Sequence, residues 1–155
     1  MIKKVLKGLL VVICMITIFY FSSDNGDRSS YKSDNVILEV SSFFGVHHLS
    51  KQEKDVLIDT FVVPVRKTAH FAIYFILGIT VVSFFREFSI PIRKLLLLSI
   101  FLAFLYACSD EIHQLFVPGR SGQFIDVLLD TCGASVGVGF YVLLFRKKIK
   151  EVPCE

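Results

Sequence analysis

At 155 residues the chain has room for one domain, and 54% hydrophobic residues with a mean hydropathy of +0.64 exclude an ordinary water-soluble one. The net charge is only +3, and the 17 basic residues gather at the ends of apolar runs; without a stripe that could follow a phosphate backbone, nucleic acid is excluded as a partner.

Lys3, Lys4 and Lys7 open an apolar run, uncharged from Gly8 to Phe21, that predicts helix one over residues 5–23, with its last turn closed by the Ser22 and Ser23 hydroxyls bonding back to the helix. No small-residue cleavage pattern follows, and Ile13 before Cys14 does not fit a lipoprotein signal, so the run reads as a retained anchor. Residues 24–64 are polar and mixed in charge. Within them Val36, Val40, Phe43 and Phe44 recur at helical spacing, which predicts a surface helix on the membrane or the bundle. Ser50 and Glu53 have the form of a capping box, and Val56, Leu57 and Phe61 then make an apolar stripe up to Pro64. This predicts a second amphipathic helix leading into the membrane.

Pro64 stands where a helix can begin, and the stretch from Arg66 to Phe85 is charged only in its first turn, so helix two is placed at residues 65–85. Arg86, Glu87, Pro91, Arg93 and Lys94 interrupt the chain. The apolar run from Leu95 to Cys108 is too short to cross a bilayer, so helix three, residues 94–116, must continue through Ser109 to Phe116. Pro118, Gly119, Arg120, Ser121 and Gly122 are turn chemistry. Helix four, residues 124–145, carries Asp126 and Asp130 near its start and a Gly133–Gly137 packing face that suits contact within one chain or between chains; it ends at Arg146, Lys147 and Lys148. Cys14, Cys108, Cys132 and Cys154 stand far apart, with no C-x-x-C pair, and read as small apolar residues.

The fold class is therefore all-α: a single membrane domain over residues 1–155, built as a four-transmembrane-helix bundle with an amphipathic helical segment, residues 24–64, between helices one and two on the outer face. Ten of the 17 Lys and Arg residues fall in the N-terminus, the 86–94 loop and the C-terminal tail, while seven are spread over the longer 22–67 and 109–123 segments. The positive-inside rule then puts both termini in the cytoplasm.

In that topology the start of helix two, the end of helix three and the start of helix four meet at one membrane surface. Arg66, His70 and Tyr74 share a face of helix two, with Lys67 beside them. Tyr106, Asp110 and either His113 or Gln114 line a face of helix three, with Glu111 turned about a hundred degrees away. Asp126 and Asp130 stand one turn apart on helix four. Singly, each has a structural reading: Arg66 and Lys67 as headgroup anchors, His113 at a helix C-terminus, Asp126 and Asp130 at a helix N-terminus. Seven or more ionisable groups at one level of three membrane helices are expected to be functional, because each is costly unless it points inward and finds a partner. Asp110 and His113 have the i, i+3 spacing of a carboxylate–imidazole pair, and His70, Glu111 or Asp126 would complete a divalent site. That signal alone is weak, so no metal is assigned and the cofactor is left unknown.

Phe21-Ser22-Ser23, Arg66-Lys67-Thr68-Ala69-His70 with Tyr74, and Ser109-Asp110-Glu111-Ile112-His113-Gln114 continuing through Phe116, Pro118-Gly119-Arg120 and Asp126 together resemble the VanZ-like family over nearly the whole chain. The resemblance implies a bacterial cytoplasmic-membrane protein linked to teicoplanin susceptibility, without settling a biochemical activity. It marks Arg66, Lys67, His70, Ser109, Asp110, Glu111, His113, Gln114, Arg120 and Asp126, and departs at Asp130, where Asn is expected.

Three functions compete. An enzyme acting on an outer-leaflet lipid or cell-wall intermediate would use His113 as acid or base, with Asp110 or Asp126 orienting it and His70 and Glu111 as further catalytic candidates. Arg66, Lys67, Tyr74, Ser109, Gln114, Arg120 and Asp130 would then hold the substrate. A non-catalytic module would capture a lipid-linked or acylated ligand in the same place, teicoplanin itself carrying a fatty acyl chain. A proton or ion pathway ranks last, because the cytoplasmic halves of helices two to four are nearly all apolar. Enzyme status and oligomeric state stay open.

Overall fold

The computed structural model describes residues 1–44 and 50–145, with the side chains of residues 27–29 left out. Arg146, Lys147, Lys148 and Cys154 therefore lie outside the described residues. The chain forms α1 (Ile2–Ser22), α2 (Gly26–Phe43), α3 (Lys51–Phe85), a 3-10 turn (Arg86–Phe88), α4 (Ile92–Gln114) and α5 (Phe124–Leu144). There is no strand among the described residues. Four helices, α1, α3 with its following turn, α4 and α5, are long and apolar enough to cross a membrane. The expected class, four spans with a helical segment between the first two, is the class observed.

Lipid as solvent explains the surface. Leu97 and Leu143 are 70% and 72% exposed, a waste of apolar area in water but the normal state of a helix facing hydrocarbon. Tail-on-side-chain burial drives nothing in such a medium, so the helices must associate by close packing and polar contacts. The α3–α5 interface is the most extensive in the bundle, and small residues make it possible. Gly133 and Gly137 of α5 lie against the backbone of Phe71 and Phe75, and Gly78 of α3 lies against the backbone of Ala134, with no room for a side chain at any of the three. The Gly133–Gly137 face therefore packs within the chain. Tyr74, Leu77, Val81, Ala103, Ala107 and Ala134 fill the centre, and Val82, Leu95, Val138 and Tyr141 form a second cluster.

One boundary differs from expectation. The Ser50–Glu53 capping box is present, but the helix it starts does not stop before the membrane: Pro64 sits inside a single 35-residue helix. At about 1.5 Å per residue that helix is roughly 52 Å long, against a hydrocarbon core of about 30 Å, so its first turns project beyond the span. Proline removes one backbone bond, while the hydroxyls of Thr60 and Thr68 on either side donate to the carbonyls of Val56 and Pro64. The apolar side of α2 packs on this projection: Ile37 is buried, and Val36 and Val40 face Leu57, Phe61 and Val65. Phe43 and Phe44, the other half of the expected stripe, remain exposed.

The spans alternate in direction. Lys7 of α1 donates to Ser83 O and pairs with Glu87 at 2.5 Å, and Arg86 donates to the Tyr141 hydroxyl at 3.2 Å. The start of α1, the end of α3 and the end of α5 thus share one end of the bundle. The opposite end gathers the close of α1, the middle of α3, the close of α4 and the start of α5.

Candidate functional site

The second end is a polar knot assembled from all four spans. Ser22, in the last turn of α1, donates to Asp110 Oδ2 at 2.8 Å. Gln114 Nε2, one turn along α4, reaches the same oxygen at 3.2 Å. With α1 packed on this face, Gln114 accompanies Asp110 inward, while His113 lies against Phe19 and Ser23. Ser23, by contrast, bonds back to Phe19 O at 2.7 Å.

The loop between α4 and α5 closes the knot. Gly119 takes a φ of +73°, the left-handed conformation that glycine adopts without strain, and Pro118 O accepts from Gly26 N at 3.0 Å. Arg120 is thereby turned back towards α1. Its guanidinium donates to Phe21 O (3.2 Å), Asp24 O (3.0 Å) and Gln114 Oε1 (3.4 Å), tying the close of α1 and the residues just after it to α4. Burial and the neighbouring Arg66 pull the Arg120 guanidinium below its ordinary value, although arginine stays charged under any physiological condition.

Two carboxylates serve the start of α5. Gln123, its N-cap, has no side-chain cap of its own; the Glu111 carboxylate of α4 accepts its N–H at 2.8 Å. Asp126 lies in the first turn and pairs with Lys67 of α3. Both negative charges stand at the positive end of a helix.

Beneath the loop is a cavity of about 70 Å³, lined by Arg66, Lys67, His70, Glu111, Gln114, Arg120, Ser121, Asp126 and Asp130 among others. A larger, mostly apolar cleft of about 260 Å³ adjoins it between α1, α2 and α3, with walls including Ile18, Phe21, Val36, Val65 and Ile73. Arg66, His70 and Arg120 border both spaces. Arg66 has no hydrogen-bond or ion-pair partner among the described residues. At the floor, His70 Nδ1 stands 3.6 Å from Asp130 Oδ2, too far for a hydrogen bond. Both Asp130 oxygens, Asp110 Oδ1 and the Tyr74 hydroxyl are buried without a hydrogen-bond partner.

Of the twelve residues expected from the sequence, nine line the cavity or its floor: Arg66, Lys67, His70, Asp110, Glu111, Gln114, Arg120, Asp126 and Asp130. Tyr74 is fully buried one turn below His70, its ring centroid 6.3 Å from that of Tyr106. Ser109 is exposed and bonds back to Tyr106 O. His113, the leading acid–base candidate, lies to one side, stacked on Phe19 at 4.3 Å with Nε2 3.1 Å from Ser23 Oγ. Ser22 and Asp24 were missed. Ser22 could have been found in the Phe21-Ser22-Ser23 string; the role of Asp24, a carbonyl for Arg120 and an ion pair with Lys32, leaves no trace in local pattern.

No curated protein and no solved structure matches the chain. The VanZ/LLP1 family description, however, matches residues 8–146, nearly the full length, and the chain belongs to that family.

Proposed function

We propose that this chain binds an anionic amphiphile, a lipid-linked cell-envelope intermediate or another acylated ligand, at the outer face of the bacterial cytoplasmic membrane, and thereby lowers susceptibility to teicoplanin. The observation that carries the reading is the adjacency of two spaces: a polar cavity and an apolar cleft that suits an acyl chain share Arg66, His70 and Arg120 as lining residues. Two guanidinium groups border both spaces, and among the described residues neither donates a hydrogen bond to a carboxylate. An anionic headgroup is the natural complement. The orientation follows from Lys3, Lys4, Lys7, Arg86, Arg93 and Lys94, which mark the opposite end as cytoplasmic. The teicoplanin link comes from the family.

Binding is favoured over catalysis, because His113 packs against α1 while the imidazole that faces the cavity, His70, stands beside a buried carboxylate. The test is teicoplanin and vancomycin susceptibility in a sensitive bacterium expressing the chain, with wild type and Arg66→Gln at equal membrane abundance. Protection against teicoplanin alone, lost in Arg66→Gln, is expected. Equal protection by both forms would sink the anion-binding reading.

A further inference from the structure

We infer that His70, Asp110 and Asp130 form a binding site for a divalent transition-metal ion at the floor of the bundle. One nitrogen or oxygen from each of the three residues lies within 4.8 Å of the others, and they come from three different helices, α3, α4 and α5. His70 Nδ1 and Asp130 Oδ2, 3.6 Å apart, already stand near the separation of two ligands at about 2.0–2.2 Å from one ion. Asp110 closes the set after a contraction of roughly 1 Å.

An acidic pair alone would not carry this. Asp130 is 0% exposed, and neither of its oxygens accepts a hydrogen bond. A buried carboxylate in a membrane bundle is several kcal/mol too costly without compensation, and nothing among the described residues supplies it except the His70 imidazole. Asp110 is prepared differently. Ser22 and Gln114 both hold Oδ2 and leave Oδ1 unengaged, the arrangement by which outer partners aim a carboxylate at a metal. One imidazole and two carboxylates suit Zn2+ or Mn2+ better than Ca2+, which requires six or more oxygen ligands. Three protein ligands leave a coordination position free, and it would face the cavity that Arg66 and Arg120 border.

The site stands apart from the anion-binding reading and is tested without any lipid ligand. Full-length protein in nanodiscs is stripped with EDTA and titrated with Zn2+, then with Co2+, whose visible absorption reports a nitrogen–oxygen site. About one ion per chain is expected. Residues that merely orient a ligand alter metal affinity about 10–100-fold, so Asp130→Asn and His70→Gln are each expected to weaken binding at least 100-fold. Glu87→Gln, at the other end of the bundle, is expected to leave it unchanged. Asp130→Asn is the cleanest variant, since Asp130 accepts no hydrogen bond whose loss would unfold the chain. A folded wild type that takes up neither Zn2+ nor Co2+ stoichiometrically overturns the inference, as does uptake that persists in both folded variants.

Discussion

The two ends of the bundle handle charge in opposite ways. At the end holding Lys4, Lys7, Arg86 and Glu87, these four groups sit at the rim beside ready partners: Lys7 on Glu87, Arg86 on the Tyr141 hydroxyl and near the Phe145 ring, Lys4 over Phe88. These are anchors with apolar stems and accessible heads. At the other end, Asp110, Glu111, Gln114 and Asp130 are buried, and part of their polar surface has no partner. A chain that needed only to stay in the bilayer would have built both ends like the first. The difference separates charge held at the rim from charge buried in the bundle with part of its hydrogen-bonding capacity unused among the described residues.

Four substitutions sharpen or break that contrast. The largest effect is expected from Asp110→Ala, which strips Ser22 and Gln114 of a buried acceptor and should destabilise the bundle by about 2–4 kcal/mol, read as a lower midpoint of unfolding in mixed micelles; a midpoint unchanged from wild type would mean that the knot does not hold α1 to α4. Next, Arg66→Gln should weaken binding of an anionic lipid by about tenfold, the loss of one charge-assisted contact, with thermal stability intact. If it unfolds the chain instead, Arg66 is structural and the contrast fails at its mouth. Asp130→Asn removes an uncompensated buried charge, so in the presence of EDTA it should raise the melting temperature by about 2–4 °C; a drop would mean that the carboxylate is already satisfied. Smallest is Glu87→Gln, whose partly exposed pair with Lys7 is worth at most about 1 kcal/mol. Unaltered protection against teicoplanin is expected, and its loss would make the two ends equivalent.

Much of the architecture was legible because lipid imposes simple rules. Long uncharged runs had to be spans, and the shortness of Leu95–Cys108 forced α4 to carry Ser109–Gln114 into the membrane. The capping box at Ser50 was equally plain. Pro64 misled because proline favours helix starts; what keeps the helix continuous is the packing of α2 on its projecting turns, a tertiary effect. The residues of the polar end were named almost completely, but their arrangement was not. Spacing left His113 and Gln114 as alternatives beside Asp110, and only the position of α1 decides between them. Nor could it be foreseen that Glu111 caps a helix on another segment, or that Ser22 abandons its own carbonyl ladder for Asp110, since both bonds join residues that no local pattern connects.

That same property sets the order in which the protein can be made. Ser22 meets Asp110 across 88 positions, Lys67 meets Asp126 across 59, and Arg120 reaches Phe21 across 99. None of these links can exist while the ribosome is still synthesising α3. As spans enter the bilayer one after another, Ser22 waits for its partner on α4, and Asp110 enters before the helix that carries Asp130. The polar knot therefore closes in two stages: the Ser22–Asp110 and Arg120–Phe21 links need α1, α4 and the loop after it, and the Lys67–Asp126 link waits until α5 has docked along its glycine face. A nascent chain arrested before Phe124 is expected to tie α1 to α4 while leaving Lys67 without Asp126, so the last helix completes the α3 side of the knot.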